Sequence, residues 1–484
     1  MMSWLPNKSN GIPVYKQISN YMESRIMNGE YPSGSTLPSE RYLAAELHVN
    51  RSTIVSSYDE LHAIGLVKRV KGIGTVVSID NKAGGTFKRI PNWEEYVKSG
   101  VFQSNNPLNQ QIYKIIQSGD HHINFAIGEL SPDLLPIRLM QEVHNSMEIS
   151  EFLGYEHMQG NMKLREAITS HLKSYRNVET NASSILITSG AQQALHLIIQ
   201  CLLKPGDSVA IEDPSYAYSL PIFQSAGLKT FLLPTEKEGI DPEQIVSLYK
   251  KHRIKMVFLN PIFQNPTGTT MSFERRKKVL EISTQYGIPI VEDDPYSVTG
   301  YDNEPVSSLK SMDQDGSVLY ISSLSKIISS GLRIGWIVGP QAVIQRLTDA
   351  KQQIDFGHPN YPQWIAAQLL SSEGFENHVQ HLRKGLKRKR DLTMQALQTA
   401  FKDSMVYGIP SGGIHLWCKL KEELNEQHLF KECVQNGVVF APGSTLGTSD
   451  RYMRFTYSRV DDHLIEEGIR RFAEVTKFFI DKAK

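Results

Sequence analysis

Val318-Leu-Tyr-Ile-Ser-Ser-Leu-Ser-Lys326, followed closely by Gly331-Leu-Arg-Ile-Gly335, is the stretch on which the reading of this 484-residue chain turns. Val318 to Ile321 is a short apolar run that reads as a buried strand, and Ser323-Leu324-Ser325-Lys326 leaves its end. A lysine that forms an imine with an aldehyde needs such a place, at a strand end and partly desolvated, so that its amine can be neutral when it attacks. A lone lysine is ordinarily just solvated. Its company changes the odds: Arg333 puts a guanidinium where it can hold a phosphate, while Ser323 and Ser325 offer hydroxyls.

Outward from this stretch, similar apolar runs recur at Ile185–Thr188, Ser208–Ile211, Met256–Leu259, Ile288–Val291 and Ile334–Val338, with helix-length segments in several gaps. That alternation from about residue 121 predicts an α/β domain with a mostly parallel sheet, and from about Tyr361 a smaller α+β lobe. Three more strings fall at strand ends. Ser189-Gly190-Ala191-Gln192 opens a helix whose backbone amides can cradle a phosphate. Glu292-Asp293-Asp294-Pro295-Tyr296 offers a carboxylate for a pyridine nitrogen and a hydroxyl for a ring oxygen. Asn265-Pro266-Thr267-Gly268 presents an amide to that same oxygen. Each string alone is ordinary turn or cap chemistry; together, on successive strand ends, they point to pyridoxal 5'-phosphate.

The first eighty residues follow another pattern. Val14, Ile18, Met22 and Ile26 mark one amphipathic helix, and Asn28-Gly29 ends it. Ser39 caps a second, with Tyr42, Leu43 and Leu47 on its apolar face; Asn50 caps a third, carrying Ile54, Tyr58, Leu61 and Ile64. Leu66–Val70 and Thr75–Ile79 read as a β-ribbon, so the unit is a winged helix-turn-helix. Arg51, Ser52 and Thr53 occupy the first turn of the third helix, where a recognition helix enters the major groove. Arg41, Lys68, Arg69 and Lys71 can neutralise the flanking backbone, and Gly72 and Gly74 let the wing tip approach it. A winged helix can also serve as a protein–protein module, which fold alone does not exclude.

Lys+Arg 52 against Asp+Glu 51 leaves a formal charge of +1, so a nucleic-acid surface must be local. The opening residues lack a signal peptide's basic and apolar regions, and the longest apolar stretch, Ala194–Leu203, is broken by His196 and Gln200. A cytoplasmic protein with no membrane span is expected. Three cysteines are too few for a disulfide framework, and His415 with Cys418 makes no metal site, so no metal is expected. The basic run Arg383–Arg390 reads by default as a solvated helix face; the sharper alternative is that it touches DNA.

Pro13-Val-Tyr-Lys-Gln-Ile18, Gly34-Ser-Thr-Leu-Pro-Ser-Glu-Arg41, Val49-Asn-Arg-Ser-Thr53 and Gly72-Ile-Gly-Thr75 closely resemble the GntR-type DNA-binding domain, with Asn50 where many relatives have Ser. From roughly Ile123 to Phe472 the chain resembles the fold-type I, class I aminotransferases. That resemblance implies that Lys326 is the Schiff-base lysine, Asp293 the partner of the pyridine nitrogen, and Tyr296 and Asn265 the partners of the ring oxygen. It implies that Tyr216 stacks on the ring, that Gly190, Ala191, Gln192, Ser323, Ser325 and Arg333 hold the phosphate, and that Tyr155 reaches a neighbour's phosphate across a dimer interface. It also implies that Arg454 grips a substrate α-carboxylate. Ser330 stands where a proline is common before Gly-Leu-Arg.

The two halves joined resemble the MocR family of transcriptional regulators. The expected organisation is a GntR-type winged helix-turn-helix over 11–79, a linker with room for one short helix over 80–120, and a pyridoxal-phosphate-binding domain over 121–484. The resemblance implies a homodimer that binds double-stranded operator DNA and senses an amino acid or related amine by imine exchange at Lys326. The competing reading is an aminotransferase with an accessory DNA-binding domain, since Lys326, Asp293 and Arg454 are all present.

Overall fold

Four-residue spacing of apolar side chains does produce the first helix of the N-terminal unit, Val14–Met27, which buries Ile18, Met22 and Ile26. The computed structural model describes residues 4–7, 11–78, 93–117, 122–147, 154–302, 306–447 and 451–483. It divides into two compact units, Met1–Val101 and Phe102–Lys484.

In the first unit, helices Glu40–Glu46 and Arg51–Ala63 follow, the former capped by the Ser39 hydroxyl, which accepts from the Tyr42 amide at 3.3 Å. Leu43, Leu47, Ile54, Tyr58, Leu61, Val67 and Val77 close the core over Ile18 and Met22. An antiparallel ribbon pairs Val67–Val70 with Gly74–Val77, in the register Val67 to Val77 and Val70 to Gly74. Three details differ from expectation. Tyr42 and Ile64 are exposed, because each lies off the stripe that its helix turns inward. Asn50 stands at the N-cap of the third helix in an extended conformation, but its side chain makes no capping hydrogen bond. Ile79 lies outside the described residues.

The stretch read as a linker holds two helices, Trp93–Ser99 and Pro107–Gln117, and the second belongs to the large unit. Ile112 is buried in the large unit's core, with Leu108, Ile115 and Ile116 packed beside it. Residues 79–92 and 118–121 lie outside the described residues.

The large unit is built on an eight-stranded sheet. Its order is Ile185–Thr188, Gly335–Val338, Val318–Ser323, Ile290–Asp293, Met256–Leu259, Ser208–Asp213, Lys229–Glu236 and Gly239–Ile240. Gly335–Val338 runs antiparallel to both neighbours, and the pairs from Val318–Ser323 through Lys229–Glu236 are parallel. Lys229–Glu236 was not legible as a strand: it lies near the sheet's edge, half covered, and so has no continuous apolar run. Crossover helices follow ordinary cap chemistry; Phe273–Tyr286 starts at Ser272, which accepts from the Arg275 amide, and ends on Gly287 at φ +62°. The parallel strands deliver their C-terminal ends to one edge, where ligands bind in such sheets.

The smaller lobe carries helices Gly374–Phe401 and Asp462–Ala483 beside an antiparallel sheet of Met405–Tyr407, His415–Leu420, Tyr452–Thr456 and Ala441–Pro442. The basic run lies within the first of these helices and is a solvated face only in part. Lys389 is fully buried, donating to the Val460 carbonyl at 2.8 Å and to Asp462 at 2.9 Å. Arg383 donates to the Val298 carbonyl, and Arg390 to that of Pro410 while its guanidinium lies 4.7 Å over the Tyr301 ring. Lys384, Lys387 and Arg388 are the exposed cations of the run. Lys389 therefore cannot reach DNA, and Arg383, Lys389 and Arg390 staple the lobe together.

Candidate functional site

A cavity of about 330 Å³ opens at the C-terminal edge of the parallel strands, and four of the predicted strings meet there. Lys326 follows strand Val318–Ser323 in a single 3-10 turn, and its Nζ donates to the Gly128 carbonyl oxygen. Burial pushes its amine from 10.5 down to about 8; Glu129 and Asp293 oppose the shift, while Arg454 and Arg333 add to it.

Three consecutive acids leave the neighbouring strand, and the fold sorts them. Glu292 accepts the amides of Leu309 and Lys310 at 2.9 and 2.8 Å. Asp294 is fully buried, bound by Arg176 Nε at 3.0 Å and the Tyr320 hydroxyl at 2.9 Å. Asp293 alone of the three lines the cavity, and its Oδ1 is buried without a hydrogen-bond partner. Burial, with the Asp294 charge next, raises its carboxyl from 3.8 to about 7, against the pull of Lys326.

Tyr296, buried just beyond Asp293, receives a hydrogen bond from Asn265 Nδ2 at 3.2 Å. Asn265 Oδ1 in turn accepts from Arg454 Nη1 at 2.8 Å, and Arg454 Nη2 donates to the Ala126 carbonyl at 2.6 Å. Arg454 comes from the small lobe's sheet and is buried, with Nε unpartnered, so a guanidinium edge is available to an anion. Tyr216 forms another wall, more than a third exposed, its amide tied to the Asn265 carbonyl at 2.9 Å.

At the opposite end, Gly190 begins helix Gly190–Leu202 at φ +77°. A Cβ on Gly190 would stand 2.6 Å from Arg333 Nη2, and one on Gly335 would stand 2.6 Å from the Gly190 carbonyl carbon. Both glycines are therefore required by close approach, which seats Arg333 against the helix start, where it donates to the Ser189 carbonyl at 2.9 Å. Ala191, Gln192, Ser323 and Ser325 complete this end.

Tyr155 is the predicted contact that the single chain does not bring in. It is 88% exposed, its ring edge-on to Phe356 at 5.4 Å, and outside the cavity lining. Several lining residues were not foreseen. Asn109, Ile112 and Tyr113 come from helix Pro107–Gln117, at spacings that share one helical face. Glu129 binds the Ser330 hydroxyl at 3.1 Å and pairs with Arg459, which gives the departure at Ser330 a structural use. His415, which the sequence marked as no metal ligand, is buried and also faces the cavity.

On the small unit, Arg41, Asn50, Arg51, Ser52, Lys71, Gly72 and Gly74 are exposed and Thr53 is partly so. Arg51 donates to Glu40 from Nε and Nη2 at 2.9 and 2.7 Å, and Arg69 pairs with Asp59 at 2.7 Å. Gly72 and Gly74 take φ of +83° and +120° at the wing turn. Among the described residues no group of side chains could hold a metal ion, and no helix is long and apolar enough to cross a membrane.

Residues 120–472 match the family Aminotransferase class I and II, and residues 14–77 match the bacterial regulatory proteins of the gntR family. The chain belongs to the MocR family. Similar along nearly its whole length is the HTH-type transcriptional regulator YdfD of Bacillus subtilis (strain 168), 38% identical over 96% of this chain and 96% of that one. The HTH-type transcriptional regulator NorG of Staphylococcus aureus (strain USA300) is 30% identical, over 91% of this chain and 99% of that one. Among solved structures, a Pyrococcus horikoshii kynurenine aminotransferase superposes with a TM-score of 0.75 at 29% identity, over 80% of this chain and 98% of its own. That structure contains PMP. This MocR-family chain thus joins a winged-helix regulator head to an aminotransferase fold, whose family implies dependence on pyridoxal 5'-phosphate.

Proposed function

We propose that this MocR-family chain is a pyridoxal-phosphate-dependent transcriptional regulator that senses an amino acid or related amine by imine exchange at Lys326. One observation carries the reading: the unpartnered buried Oδ1 of Asp293 faces the same cavity as Lys326, whose amine is pushed down to about 8. When bound, the coenzyme supplies an aldehyde carbon that can trade one amine for another and a ring that withdraws electrons. The cavity's residues fit it at each end. Asp293 would hold the proton on the pyridine nitrogen, Tyr296 and Asn265 would face the ring oxygen, and Tyr216 would cover the ring. The phosphate would rest on Gly190, Ala191, Gln192, Ser323, Ser325 and Arg333.

A lysine near 8 is neutral in about a quarter of molecules at pH 7.5, against roughly one in a thousand for an ordinary lysine. Arg454 would take the carboxylate of the incoming amino acid while that ligand's amine replaces Nζ of Lys326. Release of Lys326 and occupation of Arg454 alter the charge of the cavity. If this changes how two winged helices in a homodimer meet paired half-sites, the ligand's preference becomes a change in operator affinity. Tyr155 would then serve the partner's phosphate. Arg41, Asn50, Arg51, Ser52, Thr53, Lys71, Gly72 and Gly74 would face the DNA.

The test pairs two measurements on purified protein. Absorbance titration with a panel of amino acids should reveal a coenzyme chromophore and the amines that shift it. Operator binding should respond to the same amines in the parent and not in Lys326→Ala. Equal operator affinity in every case would remove the sensing proposal.

A further inference from the structure

His415 opens strand His415–Leu420, is 2% exposed, and has a partner on each ring nitrogen: Nδ1 lies 2.9 Å from Thr456 Oγ1 and Nε2 lies 3.0 Å from the Tyr296 hydroxyl. Its ring stands edge-on to Tyr296, 5.4 Å between centroids at 84°. A Cβ placed on Gly128 would come within 3.6 Å of His415 Cε1 and 3.5 Å of Lys326 Nζ, so the imidazole edge and the lysine amine flank the same glycine. An apolar side chain would fill this space without the cost of burying two polar nitrogens.

The hydrogen directions can be assigned. Arginine only donates, so Arg454 Nη1 fixes Asn265 Oδ1 as the acceptor and turns the amide nitrogen of Asn265 toward Tyr296. The Tyr296 oxygen is thus already an acceptor. Burial first, then the cations Arg454 and Lys326, hold His415 neutral, leaving it one donor and one acceptor. Thr456 is fully buried, and among the described residues its hydroxyl bonds only to Nδ1. If Nδ1 carried the proton, the threonine's hydrogen would be stranded. If Thr456 donates to Nδ1, then Nε2–H donates to Tyr296, and the one hydrogen left over is the tyrosine's, which lies at the cavity wall instead of in the closed core.

We propose that His415 is a positioning residue for Tyr296: by donating from Nε2 it occupies the tyrosine oxygen, so the hydroxyl's own hydrogen can be given only into the cavity, toward the ring oxygen of bound coenzyme. This rests on the coenzyme reading above. Thr456 sets the tautomer, and Asn265 with Arg454 sets the other acceptor bond, so the direction of one hydrogen is over-determined by four side chains.

The experiment is a pH titration of the absorbance of the coenzyme-loaded full chain. A bond donated to the ring oxygen stabilises negative charge there, so losing it makes the adjoining nitrogen keep its proton to higher pH. His415→Phe should move the midpoint up by about one unit. His415→Gln, whose amide can donate the same bond, should stay within a few tenths of the parent. Thr456→Val should move it up by a smaller amount, and it carries the test if His415→Phe does not fold. A parent midpoint in His415→Phe or Thr456→Val, or a His415→Gln shift as large as that of His415→Phe, would overturn the assignment. A parent protein that takes up no coenzyme at all would instead fail at the earlier step, the coenzyme reading itself.

Discussion

Replacing Asp293 with Asn should strengthen the coenzyme-free fold at high pH and weaken the hold on the coenzyme, both through one atom. Asp293 Oδ1 is buried and unpartnered, and burial raises the carboxyl from 3.8 to about 7. An acid whose pKa is raised by folding loses stability for the fold as pH climbs from the unfolded value to the folded one, here from about 4 to about 7. About three pH units at about 1.4 kcal/mol each amount to about 4 kcal/mol, present in full above pH 7 and absent below pH 4. The asparagine carries no charge but leaves an amide with unmet bonds, at about 1–3 kcal/mol. The variant should therefore be more stable than the parent by roughly 1–3 kcal/mol at pH 8. About 2–3 kcal/mol of that difference should open between pH 5 and pH 8. Urea denaturation of coenzyme-stripped parent and variant at both values measures it, and comparison at each pH cancels the titration of Lys326 to first order. In the same preparations, loss of the charge opposite the pyridine nitrogen should weaken coenzyme uptake by about 2–5 kcal/mol, thirtyfold or more. A stability difference that is the same at pH 5 and pH 8, or coenzyme affinity within threefold of the parent, would refute the reasoning.

Three further outcomes are expected. Gly190→Ala places a Cβ 2.6 Å from Arg333 Nη2 on a backbone at φ +77°, so coenzyme affinity should fall at least about tenfold, and an unchanged titration would remove the phosphate seat from the helix start. Lys389→Ala should cost about 3 kcal/mol in denaturation by emptying a fully buried site and leaving the Val460 carbonyl without its donor, whereas exposed Lys387→Ala should stay within about 0.5 kcal/mol; similar losses for both would return the run to the solvent. Arg41→Ala and Lys71→Ala should each lower the slope of log operator affinity against log salt by about one, and an unaltered slope would take those side chains off the DNA backbone.

Much of the fold was legible because its signals are local. The stripe Ile18, Met22, Ile26 and the runs at 185, 256 and 318 are buried as their periodicity requires. What was misread depended on covering partners. Tyr42 and Ile64 are apolar yet exposed, and Lys389 is charged yet buried, because hydrophobicity along one segment does not report what another segment lays over it. The strand Lys229–Glu236, next to the sheet's edge, and the cavity helix Pro107–Gln117 were missed for the same reason, each being covered on one side only.

By itself, the amino-acid order determined two units of different kind, a winged helix-turn-helix at one end, and a lysine, acid, tyrosine and asparagine that follow successive strands at the other. Only the tertiary structure decided which of three adjacent acids is left without a partner. Glu292 and Asp294 are satisfied by groups from elsewhere in the chain, Leu309 and Lys310 for one and Arg176 and Tyr320 for the other, while Asp293 turns to the cavity. Only the fold, too, brought His415 and Thr456 to Tyr296. Local pattern follows from the chain's own period, but the state of a buried polar group is set by neighbours distant in sequence, and those exist only once the sheet is assembled.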